Sequence, residues 1–158
     1  FDPGLSTNPI GDRRIWLQMA AKNAELGVRQ RQARLLGDAG KLQALQQGLG
    51  LAESVQRIEC FDISHTQGEA TVASCVVYDR GAMQNGEYRR FNIADVAPGD
   101  DYGAMREALT RRYRRVVTGE GKMPDLVMID GGQGQLGVAV DVLSELGLGD
   151  VPLLGVAK

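Results

Sequence analysis

The sequence predicts an α/β domain with a mixed β-sheet and flanking helices, preceded by a helical arm. Three observations indicate it. The first third of the chain has helical apolar spacing only, the middle holds short β-rich segments, and the last part alternates helical stripes with apolar strands. We predict an arm over residues 1–52 that packs on a domain over residues 53–158, with the order β-β-β-α-β-α-β after the arm.

Composition excludes some classes of protein. The chain has 158 residues, 43% of them hydrophobic and 24% charged, which is typical of a folded domain rather than a disordered segment. No apolar run approaches the ~20 residues of a membrane helix, so we expect a cytoplasmic protein without membrane contact. Cys60 and Cys75 sit in apolar runs and are read as small buried residues in a reducing compartment.

The helical part of the arm begins after a Pro- and Gly-rich loop at residues 1–11. Apolar residues from Ile15 onward recur at helical spacing, although the spacing drifts too much for a heptad repeat. Gly37 and Gly40 are expected to break the arm into two helices, and Gly48 with Gly50 to end the second.

Three strands are predicted next, within residues 55–64, 70–79 and 86–95. Asn85-Gly86 is a turn signal before the third, so the second and third strands are expected to form a hairpin. A helix follows over residues 97–117, which open with Pro-Gly and two aspartates.

The remaining elements are a strand, a helix and a strand. Residues 124–132 form a continuous apolar run, as in a central strand covered on both faces. The helix after it should end at Gly147 and bury one stripe, which we list as Leu136, Val140, Leu143 and Leu146. Residues 151–158 resemble another buried strand.

Two apolar strands end in an acid: Asp62 in "FDIS" and Asp130 in "IDGG". If the strands are neighbours, the two carboxylates converge, and a cation between them would offset their repulsion. Hard oxygen ligands favour Mg²⁺ or Mn²⁺, and such a site can activate water against a phosphodiester. The alternative is that each aspartate only forms a turn or caps a helix.

Other polar positions support weaker hypotheses. Asp100 and Asp101 fit a helix N-cap, and Asp101 could instead be a third acid at the same site. His65 is read as a turn or supporting residue rather than a general base. The "GGQGQL" loop around Gln133 is a poor nucleotide motif but could let a DNA backbone approach. Four arginines of one helix are either a solvated face or DNA-backbone contacts: Arg111, Arg112, Arg114 and Arg115.

Two long segments carry a family resemblance: residues 57–93, from "RIECFDISH" to "YRRFNI", and residues 124–136, "PDLVMIDGGQGQL". Here the chain resembles UvrC, the nuclease subunit of the bacterial UvrABC excinuclease, and the likeness extends over residues 8–158. The resemblance implies an RNase H-like endonuclease domain that makes the 5′ incision at damaged double-stranded DNA. It implies UvrB as a partner, with UvrA indirectly involved.

The resemblance also implies site residues. The family's catalytic aspartates match Asp62 and Asp130, and a further acid matches Asp101 best. The chain departs from the family at Gln133, where lysine is usual. The family's later segment, with a catalytic histidine, is expected to be missing, which leaves the fold incomplete at its C-terminal side. Two alternatives therefore stay open: an inactive docking scaffold for DNA or protein, and another RNase H-like nuclease such as a junction resolvase.

Overall fold

The computed structural model describes residues 11–66 and 70–157. The chain divides into two compact units, Phe1–Leu49 and Gly50–Lys158. The division lies three residues before the predicted limit of the arm at residue 52. That the arm packs on the second unit stays a prediction.

Within the described residues, the first unit is one continuous helix, α1, Asp12–Leu49, of 38 residues. The loop expected at residues 1–11 lies outside them except for Gly11. The expected break at Gly37 and Gly40 is wrong, because the helix runs through both glycines. A helical glycine costs only about 1 kcal/mol relative to alanine, and the Leu, Ala, Gln and Lys residues around them are strong helix formers. Ending the helix there would also leave the terminal backbone groups of two new ends without partners inside the helix. No residue of α1 is buried.

The second unit is built on a six-stranded mixed sheet. Its strands are β1 Arg57–Thr66, β2 Ala70–Asp79, β3 Ala82–Met83, β4 Arg89–Ile93, β5 Leu126–Asp130 and β6 Leu153–Val156. The order is β3-β2-β1-β5-β6, and β4 pairs with β2 beside β3. β1 and β2 are antiparallel, as are β2 and β4, whereas β1, β5 and β6 run parallel. The predicted α/β order and the hairpin are confirmed, with β3 as one added short strand.

Two helices, α2 Asp101–Val117 and α3 Gln133–Glu145, cover one face of this sheet. Asp100 caps α2, since its carboxylate accepts a hydrogen bond from the Gly103 amide at 2.9 Å. Phe61 of β1 and Ile129 of β5 are fully buried on the covered face, and the Phe61 ring meets that of Tyr113 of α2 at 5.9 Å. The core therefore lies between the sheet and the two helices.

The inward stripe of α3 differs from the prediction at one residue. Val140 is exposed, whereas Ala139, Val142 and Leu143 are buried. Leu136 and Leu146 are partly buried against the core, as expected. The apolar pattern of α3 fits two overlapping stripes, and packing against both the sheet and α2 selects the one centred on Ala139 and Leu143.

Candidate active site

Asp62 and Asp130 are direct neighbours across two parallel strands. Asp62 of β1 pairs in register with Asp130, the last residue of β5. Residues paired in this way project from the same face, and neighbouring strands lie about 4.8 Å apart. Because Phe61 and Ile129 fill the covered face, both aspartates project from the opposite face, which neither α2 nor α3 covers. Both side chains are partly exposed there.

Cys60 lies beside the two aspartates on this face. It precedes Asp62 by two residues, pairs with Met128, and projects from the same face. Burial raises the pKa of the Cys60 thiol, and the negative charges of Asp130 and Asp62 raise it further. The charges of both carboxylates are therefore close enough to affect the same thiol, that of Cys60. The expectation that the two strands are neighbours is confirmed. The expectation that both end in the acid holds for β5 alone, because β1 continues four residues past Asp62 to Thr66.

The turn after Asp130 is compact. Gly131 donates from its amide to the Val156 carbonyl at 3.1 Å, which ties the end of β5 to β6. Gly132 caps α3, and its amide donates to Gln135 Oε1 at 2.9 Å. A side chain at Gly131 would collide with that of Gln135. Gln133 is exposed at the start of α3, where its role as a DNA-backbone contact stays a prediction.

Asp101 lies in a different group from the pair. At the start of α2, its Oδ1 meets His65 Nε2 at 2.6 Å. His65 Nδ1 lies 3.3 Å from Thr71 Oγ1, its register neighbour on β2. His65 is three residues from Asp62, so the alternation of the strand directs it to the other face. Among the described residues, no three Asp, Glu, His or Cys side chains are placed to hold a metal together.

The predicted DNA-contacting arginines of α2 divide into two groups. Arg112 is partly buried, and its Nε and Nη2 donate to the two carboxylate oxygens of Glu59 at 3.1 and 2.6 Å. Arg112 therefore forms an ion pair within the fold, and its role as a DNA-backbone contact stays a prediction. Arg111 is exposed, bonds to Glu107 and the Asn92 carbonyl, and lies over the Phe91 ring. Arg114 is exposed, and Arg115 is exposed and pairs with Glu120 at 3.1 Å.

The partner of Arg112 belongs to a buried network that the sequence reasoning missed. Glu59 is fully buried in β1 and also accepts hydrogen bonds from Arg57 and from the hydroxyl of Tyr113. Arg57 in turn reaches Asp79 at 3.0 Å. The available signal was an acid at residue 59, in phase with Phe61, two residues after an arginine. It indicated a charge on the covered face of the strand.

The network favours the charged forms of its two arginines and the neutral, protonated form of Tyr113. Burial disfavours the charge on Arg57, but bonds to Glu87, Glu59 and Asp79 outweigh it and raise the pKa of Arg57. The bond to Glu59 raises the pKa of Arg112. Burial raises the pKa of Tyr113, so that its hydroxyl stays a donor to Glu59. The network fastens α2 to β1 three residues before Asp62.

No helix within the described residues is long and apolar enough to cross a membrane.

Comparison with known proteins identifies the lineage of the chain. A family model described as the UvrC RNase H endonuclease domain matches residues 46–158. UvrABC system protein C of Methylobacillus flagellatus is 64% identical over 98% of this chain, and that of Nitrosomonas eutropha is 61% identical over 98%. The chain spans about a quarter of the length of these relatives, 26% and 25%.

Among solved structures, that of human ENDOV has a TM-score of 0.47 at 25% identity, and it covers 66% of this chain and 46% of its own. The family match covers more than half of the chain and both curated relatives are far above 30% identical. The resemblance first seen at residues 57–93 and 124–136 is therefore confirmed. This chain belongs to the UvrC family and contains its RNase H endonuclease domain.

Proposed function

We propose that the Gly50–Lys158 unit is the part of a DNA-repair nuclease that hydrolyses a phosphodiester bond of damaged double-stranded DNA, on the 5′ side of the lesion. The observation that carries the proposal is the register pairing of Asp62 with Asp130 on the sheet face that α2 and α3 leave uncovered. Membership of an endonuclease-domain family supports the reaction class. The 5′ side of the cut rests on the resemblance alone.

The donor set at this face fits Mg²⁺ or Mn²⁺. Asp62 and Asp130 offer hard carboxylate oxygens from adjacent positions, and these ions are commonly held by one or two carboxylates plus waters and substrate phosphates. Two carboxylates are therefore enough, although the described residues offer no third ligand in the same place. A bound divalent ion would supply a water of lowered pKa and a positive charge against the scissile phosphate.

The chain's own contribution is placement. Asp62 lies within a ten-residue strand that is paired on both sides, so its backbone is held firmly. Asp130 is fixed by the tie between Gly131 and Val156. Both carboxylates lie on the face that α2 and α3 leave uncovered. Rigid placement of this kind keeps reacting groups in position for attack.

Three further roles are proposals of the same kind. Asp101 assists the cleavage reaction from α2, where its carboxylate hydrogen-bonds to His65. The exposed arginines Arg111, Arg114 and Arg115 give α2 positive charge that attracts a DNA backbone without reading its bases. The full-length protein works with UvrB, and through it with UvrA, in the bacterial cytoplasm.

The test uses the full-length protein with its partners on a duplex that carries one lesion. Asp62→Asn and Asp130→Asn should each abolish the 5′ incision and leave DNA binding intact, because asparagine keeps the shape of the side chain and removes its charge. Asp150→Asn is the matched control, an exposed aspartate of the loop before β6, and should cut normally. Normal 5′ cutting by either site variant would refute the assignment.

A scaffold role for the isolated 158 residues is the second candidate. It is favoured by the absence of a third metal-binding side chain beside Asp62 and Asp130 among the described residues. A nuclease assay with Mn²⁺ separates the two, run on the 158-residue chain and on the full-length protein. Cutting by the full-length protein alone would assign the short chain to docking, whereas cutting by both would exclude the scaffold.

A further inference from the structure

A row of four residues crosses the uncovered face of the sheet at a single level. Asp130 pairs with Asp62, Asp62 pairs with Ser74 of β2, and Ser74 pairs with Arg90 of β4. Directly paired residues project from the same face, so the order along the row is acid, acid, hydroxyl, guanidinium. Phe91 and Ile93 of β4 are buried in the core on the opposite face, which independently directs Arg90 to the uncovered one.

Arg90 is an exposed cation at the end of this row. Within the described residues it has neither an ion pair nor a hydrogen bond, whereas its neighbour Arg89 donates to the carbonyls of Gly86 and Tyr88 at 3.3 and 2.8 Å. The two arginines are consecutive, and only Arg90 is left with its guanidinium available. A guanidinium presents a planar fork of donors that matches two oxygens of a phosphate.

The surface around Arg90 is shaped to receive a ligand. A groove of about 310 Å³ runs along this part of the sheet and is lined by Ser64, Ser74, Tyr88 and Arg90, among others. Ser74 lies between Arg90 and Asp62, and its small side chain leaves that space open. Two strand spacings, roughly 10 Å, separate the backbones of Arg90 and Asp62. The groove is lined by two arginines, two serines, one tyrosine and three apolar residues: Arg89, Arg90, Ser64, Ser74, Tyr88, Val72, Cys75 and Val76. Its cations and hydroxyls can bind phosphate oxygens, and its apolar part can contact a sugar.

We infer that Arg90 binds a DNA phosphate that neighbours the scissile one, and thereby aligns the strand across the Asp62–Asp130 pair. The inference rests on the proposed function, because it takes the scissile phosphate to lie at the two aspartates. Arg90 is a positioning residue: it holds the substrate and takes no part in bond cleavage. Its contact is to the backbone, so it is independent of base sequence.

The experiment compares Arg90→Ala with Arg90→Lys in the full-length protein. Arg29→Ala is the charge-matched control, since Arg29 is exposed and pairs with Glu25 within α1, outside the Gly50–Lys158 unit. Arg90→Ala should raise the KM for lesion-bearing duplex roughly 10-fold while kcat under saturation is kept, as for a lost charge-assisted bond. The slope of log affinity against log salt should fall by about 0.9, the value for one phosphate. Arg90→Lys should restore the slope but only part of the affinity, because lysine lacks the fork.

A second measurement locates the phosphate. Duplexes are prepared with a single neutral methylphosphonate at successive positions around the cut. At one position next to the scissile phosphate, the neutral group should weaken binding by the wild type to the level of Arg90→Ala, and should not weaken Arg90→Ala further. Additive losses at every position would overturn the inference.

The outcomes also separate this inference from the proposed function. A charged edge strand can serve only to prevent pairing with other sheets. In that case Arg90→Ala would have the KM and the salt slope of the wild type, which would overturn the inference about Arg90. The proposed function would still stand if Asp62→Asn abolished cutting. If Asp62→Asn cut normally, the proposed function would fall, whatever Arg90 binds. Urea unfolding of each variant identifies a folding defect, and Arg90→Gln then replaces Arg90→Ala.

Discussion

The buried carboxylate of Glu59 offers the sharpest test of what holds this fold together. It is fully buried and accepts five hydrogen bonds: two from Arg57, two from Arg112 and one from Tyr113. In Glu59→Ala, Arg57 still has Asp79 and Glu87 as partners. Arg112, whose side chain is 11% exposed, is left with no partner of opposite charge among the described residues.

The expected magnitude follows from that difference. Removal of one member of a buried pair costs about 3–5 kcal/mol, because a charge stays desolvated without compensation. Arg112→Met should cost less, about 1.5–3 kcal/mol, since Glu59 keeps Arg57 and Tyr113. The double variant should lose at least about 1 kcal/mol less than the sum of the two single losses, because it leaves no unpaired charge at this point.

The assay is urea unfolding of the 158-residue chain, followed by near-ultraviolet circular dichroism of the tyrosines. All four tyrosines lie in the Gly50–Lys158 unit, whereas the tryptophan, Trp16, lies in α1. Glu145→Ala is the control, because its pair with Arg106 is exposed and such pairs contribute up to about 1 kcal/mol. A loss below about 1 kcal/mol for Glu59→Ala, or strict additivity in the double variant, would refute the reasoning.

Two further predictions concern other parts of the molecule. Bonds from Lys122 and Arg57 lower the pKa of Glu87 from 4.5 to about 2, so its stabilising effect is present above pH 4.5 and is lost as the pH falls towards 2. Thermal melting of Glu87→Gln should therefore lie below that of the wild type at pH 7, and the two should converge at the acid end; a constant difference would contradict this. In α1, Gly37→Ala and Gly40→Ala should each stabilise the helix by up to about 1 kcal/mol, because an added Cβ meets nothing within 4 Å. Far-ultraviolet circular dichroism during heating measures it, with Gly50→Ala as a control that should not stabilise, since Gly50 has φ of +64°.

The α/β class and most of its elements could be predicted from local patterns. Apolar residues that recur every 2 positions in strands and every 3.6 positions in helices are those that face the core. This pattern can be read within each segment separately. On α2, for example, Met105, Leu109 and Val116 recur at helical spacing, and all three are buried. Val140 shows the limit, because α3 packs against two surfaces and its sequence alone fits either stripe.

The site could be predicted in part. Each aspartate at the end of an apolar strand was visible, but their meeting depends on β1 and β5 being parallel neighbours in one register. Asp101 and Arg112 show the opposite case. Their contacts could not be predicted from the sequence: the helix places Asp101 against His65 and Arg112 against Glu59. The face of the fold on which a charged side chain lies is decided by how its helix packs on the sheet.

The sequence by itself therefore determined the alternation of strands and helices and the family of the chain, because these depend on residues close together along the chain or on a long ordered match. Only the tertiary structure decided which charges meet. It brought Asp62 to Asp130 across 68 residues of sequence, placed Arg90 at the same level two strands away, and enclosed Glu59 with two arginines. The physical reason is that strand pairing and burial act between segments distant along the chain, and no local pattern records their register.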